Sequence, residues 1–141
     1  MAVVLVGAAG CGDLDARRAG ASTAARAFER AWQARDASGV CGLLAAGTLE
    51  ELEKQAQLPC PRAVLDEELD PSGPVDRVDV HGRQARVVLA KDTLFLTREA
   101  GEPGEPGEGE PGEDAGAGWR VVAAGCAPRP GQPYDCVLQG G

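Results

Sequence analysis

At 141 residues, with 26% charged and 43% apolar side chains, the chain has the size and balance of one folded domain, which argues against a multidomain assembly. Aromatic residues make up only 4% (Phe28, Trp32, Phe95, Trp119, Tyr134), so the core must rest on Val, Leu and Ala, at about 0.8 kcal/mol per buried methylene. Of the net charge of −8, the stretch Glu99 to Gly118 holds seven acids and no base, which leaves −1 on the rest and no Lys/Arg cluster suited to nucleic acid.

Met1 to Gly10 is an uncharged apolar run, too short to cross a bilayer, which takes roughly 20 apolar residues. The small residues Ala8, Ala9 and Gly10 before Cys11 resemble the bacterial lipobox, in which the cysteine becomes the lipidated amino terminus. Position −3 is Ala8 where leucine is usual, and no base precedes the run, so residues 1–10 read as a lipoprotein signal peptide lacking its charged start. Cys11 is then the lipidation site and residues 11–21 the anchor and tether. A lipid-anchored chain on the extracytoplasmic face of the cell membrane follows, because two acyl chains suffice for stable anchoring.

A single α+β domain over residues 22–141 comes next. Ser22 has the position of a helix cap, with Phe28 and Trp32 four apart beside Ala24, Ala25 and Ala31 on one face and Arg26, Glu29, Arg30 and Gln33 opposite, a helix that ends near Asp36. Asp36 caps a second helix carrying Val40, Cys41, Leu43 and Leu44, closed by Gly47. Thr48-Leu-Glu-Glu51 has capping-box spacing for a third helix to about Gln57, and Pro61 suits the first turn of a fourth through Leu69.

Beyond Pro74 the period changes to two. Val78 and Val80 alternate with Arg77, Asp79 and His81, and His81-Gly82 reads as a tight turn. Ala85, Val87 and Leu89 form the next strand, followed by Thr93 to Thr97, Trp119 to Ala124 and a short Cys136 to Gln139. Helices first and an antiparallel meander after them give helices packed on one face of a curved sheet. Residues 99–118 read as a disordered acidic Gly/Glu/Pro insert in a hairpin. Their Gly-Glu-Pro units are too few and out of register for a triple helix, and calcium binding is the weaker alternative because their spacing gives no defined cage of oxygen ligands.

With Cys11 set apart, Cys41, Cys60, Cys126 and Cys136 form an even set, as two disulfides in an oxidising compartment require. Zinc is the competing reading, with no Cys-x-x-Cys pair and His81 as the sole histidine. Among three connectivities we expect Cys41–Cys60, which antiparallel helices would join, and Cys126–Cys136, which neighbouring strands would place side by side. Twelve arginines against two lysines point to GC-rich coding and an actinobacterial source.

Asp92-Thr-Leu-Phe-Leu96, Gly118-Trp-Arg-Val-Val-Ala-Ala-Gly-Cys126 and Pro133-Tyr-Asp-Cys136, following cysteine-bearing helices, resemble a group of small uncharacterised actinobacterial lipoproteins. The element order is also similar, remotely, to the cystatin-like and nuclear-transport-factor-2-like (ketosteroid-isomerase-like) cone, in which helices cap a curved sheet around a pocket. That resemblance implies a pocket bounded by Phe28, Trp32, Leu44, Leu89, Phe95 and Trp119, suited to a small apolar ligand. Enzymes of that superfamily place acids, a histidine or a tyrosine inside the cone. Here Tyr134 falls in a cysteine-bounded loop, His81 in a turn, and Asp36 and Asp92 in cap and turn positions, while Asp76 and Asp79 are the ionisable candidates. No phosphate loop, nucleophile elbow or zinc-protease motif is present, and we expect no cofactor and no metal. The expected function is a membrane-anchored, non-catalytic module that binds a small apolar ligand or an envelope protein. A cone-fold hydrolase or isomerase is the alternative, and an envelope spacer the third.

Overall fold

Alanine dominates the first helix, α1 (Cys11–Gln33), and its small side chains let the helix lie close against the sheet. Ala21, Ala24, Ala25, Phe28 and Trp32 recur at helical spacing and are buried as one stripe. The computed structural model describes residues 11–99 and 118–140; the expected signal peptide and nearly all of the acidic insert lie outside them. The tether expected over residues 11–21 is instead helix, and Ser22 is interior to it. Two local ion pairs, Arg17 to Asp13 at 3.1 Å and Arg18 to Asp15 at 3.5 Å, support these early turns, and Asp13 suits the positive helix start.

Asp36 caps α2 (Ala37–Leu43) as its spacing predicts, its carboxylate accepting the Gly39 amide at 3.0 Å. Gly47 does not close that helix. Leu44 does so in extended conformation and bridges to Val121, while Gly47 falls inside α3 (Ala46–Ala56). Thr48 is likewise not a cap: it is buried and donates its hydroxyl to the Val122 carbonyl at 2.8 Å. The first amide of α3, on Ala46, is satisfied by the Glu99 carboxylate at 2.8 Å, 53 residues away in sequence. The fourth helix is one turn, α4 (Cys60–Ala63), followed by a 3-10 turn over Val64–Asp66. It does not reach Leu69, because Asp66, Glu67, Glu68 and Asp70 would crowd negative charge at a helix carboxyl end and Pro71 follows.

Among the described residues, five antiparallel strands follow in the order β1 (Val75–His81), β2 (Gln84–Leu89), β3 (Thr93–Arg98), β4 (Trp119–Arg129) and β5 (Gln132–Gln139). The helices cover one face, so the fold is α+β with helices packed against a sheet. Gly82, at φ +60°, supplies the left-handed residue of the β1–β2 turn, which occupies Gly82 and Arg83. The last hairpin is longer than its sequence suggests. Its strands are bridged by Cys126–Cys136, with Cα atoms 4.0 Å apart, and Cys41–Cys60 joins α2 to α4 at 6.1 Å; both pairings match expectation.

Candidate functional site

Phe28, Trp32, Leu44, Leu89 and Trp119, the residues expected to line a pocket, meet beneath the helices and pack with Val87, Leu94, Leu96 and Val121 into one hydrophobic core. The sixth, Phe95, does not join them. Leu94 and Leu96 take the core face of β3, so strand alternation turns Phe95 to the opposite face, where its ring meets Tyr134 edge-on at 5.1 Å.

On that outer face Asp79 accepts from Arg86 at 2.7 Å and from Arg77 at 3.2 Å. The Arg86 hydrogen bond, aided by the charge of both guanidiniums, holds the Asp79 carboxyl below its ordinary range, and Asp79 in turn raises the guanidinium of Arg86. Asp79 is thus committed to an ion pair. His81 is exposed at the end of β1 and Asp76 is exposed near its start, so the ionisable candidates do not converge on one reacting centre.

A denser polar arrangement surrounds Asp92, in the β2–β3 turn. One carboxylate oxygen accepts the amides of Thr93 at 2.7 Å and Cys126 at 2.8 Å. The other accepts the Gly125 amide at 3.0 Å and the Ser72 hydroxyl at 3.4 Å. Four donors occupy both oxygens, which makes Asp92 a clamp between three chain segments rather than a free base. Gly125 also lets Leu69 and Val137 pack closely over the strand at this point. Its φ is +67°, and a Cβ there would stand 2.5 Å from a Leu69 methyl carbon and 2.9 Å from the Val137 Cβ.

Ser72 is buried beside the clamp, and Glu29 reaches it from α1. Burial pushes the Glu29 carboxyl above its ordinary range; the Ser72 amide and its hydroxyl, whose one proton is shared with Asp92, oppose the rise, and the nearby Asp92 charge adds to it. One turn further on, the Trp32 indole N–H donates to the Leu69 carbonyl at 3.2 Å. The amides of Ala90 and Lys91 bond the carbonyls of Pro74 and Ser72 at 3.0 and 2.9 Å, tying the same segment to the β2–β3 turn.

These contacts frame a half-open cleft of about 360 Å³ between the segment at Leu69 and the outer part of the β4–β5 hairpin. Its apolar lining includes Leu69, Leu89, Pro128 and Val137, with Glu68, Asp70 and Lys91 among its charged residues. Val137 is 45% exposed, one of two large apolar side chains left open to solvent among the described residues. The cleft and its clamp escape sequence reading because Asp92 has the spacing of an ordinary turn residue. The available signal was the isolated Gly125 inside a strand pattern, which marks a bulge or a close backbone approach. Comparison with protein-family models, with curated proteins and with solved structures finds no match to this chain.

Proposed function

We propose that the protein is an extracytoplasmic module, anchored to the membrane through lipid on Cys11, that binds a partner without catalysing a reaction on it. Its layout of helices on one sheet face is read as a distant relative of the nuclear-transport-factor-2-like cone. The observation that carries the reading is the construction of the cleft. Its walls are fixed by the Asp92 clamp, the Cys126–Cys136 bridge and the Trp32–Leu69 hydrogen bond, and it leaves Val137 open to solvent. Walls fixed before binding lower the ordering cost of association, which is what a recognition surface needs.

The small apolar ligand first expected beneath the helices is less well supported than an envelope protein at the surface, because Phe28, Trp32 and Trp119 are packed in the core. Chemistry of the hydrolase or isomerase kind finds little support either. Asp79 is held by two arginines, and both oxygens of Asp92 are occupied by donors.

Two measurements test the proposal. Cys11→Ser should release the protein from the membrane fraction, and a variant that still fractionates wholly with membranes overturns the anchor. Backbone amide mapping by NMR against short peptides should move Leu69, Lys91, Ala127 and Val137 together. Shifts confined to other surfaces overturn the cleft as the binding site.

A further inference from the structure

We infer that the partner of this cleft is a cationic segment of polypeptide, in which an aliphatic side chain stands beside lysine or arginine. The inference rests on the cleft being the binding surface and adds the chemistry of what enters it.

The interior and the rim ask for different groups. Leu69, Leu89, Pro128 and Val137 supply apolar lining within about 360 Å³. That is at the lower end of the roughly 300–1,000 Å³ typical of small-ligand sites and suits a few side chains rather than a large cofactor. Val137 at 45% exposure is apolar surface that a partner's aliphatic group would remove from water.

The charged lining is unbalanced. Glu68 and Asp70 are exposed at the rim, and Asp66 and Glu67 precede them in the same segment. Among the described residues, Lys91 is the single cation in the lining. The Asp92 carboxylate also lies in the lining, with its oxygens already taken by Thr93, Cys126, Gly125 and Ser72, so it contributes negative potential without offering a further acceptor. A carboxylate-rich partner would meet like charge here, whereas lysine or arginine beside an aliphatic residue satisfies rim and interior at once.

The test uses the whole protein with both disulfides intact and three fluorescent peptides of equal length, alternating leucine with lysine, with glutamate or with serine. The lysine peptide should bind and move the amides of Leu69 and Val137, and added salt should weaken it, because the rim charges are exposed. The double variant Glu68→Lys, Asp70→Lys changes only exposed side chains, so its fold should persist. It should weaken the lysine peptide by about tenfold or more and improve the glutamate peptide. Val137→Ser should weaken the lysine and serine peptides alike. If the serine or glutamate peptide binds the cleft as well as the lysine peptide, or charge reversal changes nothing, the cationic assignment falls while the cleft stands. If none of the three moves the cleft amides, both readings fall.

Discussion

The Asp92 carboxylate accepts the Gly125 amide at 3.0 Å, across 33 residues of chain, and so fastens the β2–β3 turn to the middle of β4 where that strand bends. Removing the carboxylate leaves the amides of Thr93, Gly125 and Cys126 without their acceptor. Since an unsatisfied, partly buried donor costs about 1–3 kcal/mol, Asp92→Ala should destabilise the domain by roughly 2–4 kcal/mol. Urea unfolding with the disulfides intact measures this, and an unchanged midpoint would count against the clamp.

Gly125→Ala should destabilise by a different route. The substitution forces a side chain into the left-handed region and against Leu69 and Val137. A loss of about 1–3 kcal/mol is expected, with the largest amide shifts at Leu69 and Val137. An alanine variant as stable as the parent would show that the bend relaxes freely.

Glu29 makes stability depend on pH with a definite sign. Burial raises its folded-state pKa above the ordinary 4.5, so the folded state binds this proton more tightly than the unfolded chain does. The resulting stabilisation is fully present below the ordinary carboxylate value and is lost as pH rises through the raised one. Glu29→Gln should therefore be more stable than the parent at neutral pH, with the gap closing as pH falls toward 4.5. Parallel melting curves at several pH values decide it; a gap that widens on acidification contradicts the assignment.

The two bridges should be unequal in effect. Cys41–Cys60 closes 19 residues and Cys126–Cys136 closes 10, so the chain-entropy estimate places each near 3 kcal/mol, with the longer loop slightly the larger. Paired serine substitutions read by denaturation test the magnitudes. Peptide mapping without reductant should recover only these two pairings.

Deletion of Glu102 to Gly116 should leave cooperative melting intact. The Glu99 amide donates to the Gly118 carbonyl at 2.8 Å, so the chain ends are already together at the mouth of the hairpin. The removed residues are only Gly, Glu, Pro, Asp and Ala, so no large hydrophobic side chain is lost. Loss of a cooperative transition in the deletion variant would overturn this.

Much of this architecture is legible before folding. Asp36 reads as a cap because a carboxylate just before the apolar residues of α2 can accept the amide three residues on, and β2 alternates cleanly enough that Ala85, Val87 and Leu89 take the core face. Phe95 was not legible, because Leu94, Phe95 and Leu96 are all large and apolar and alternation cannot choose between them. Thr48 failed for another reason: its capping-box spacing is genuine, but the hydroxyl finds the Val122 carbonyl, 74 residues away. The amino end of α1 was hidden by the uncharged small residues around Ser22, which suit a tether as well as a helix packed on a sheet. The clamp at Asp92 depends on amides 33 and 34 residues distant, and no local period records such a pairing.

Because α1 is helical from Cys11, there is no slack between the point of lipid attachment proposed here and the body of the domain. Arg17 already touches the β1–β2 turn at the Gly82 carbonyl, 3.4 Å away, while Trp32, near the other end of the same helix, holds the Leu69 wall of the cleft. At 1.5 Å per residue those two arginine and tryptophan positions are about 22 Å apart along the helix axis. Were Cys11 acylated as proposed, the helix would act as a rigid mast, with the β1–β2 turn on the side of the lipid headgroups and the cleft at the far end, turned away from them.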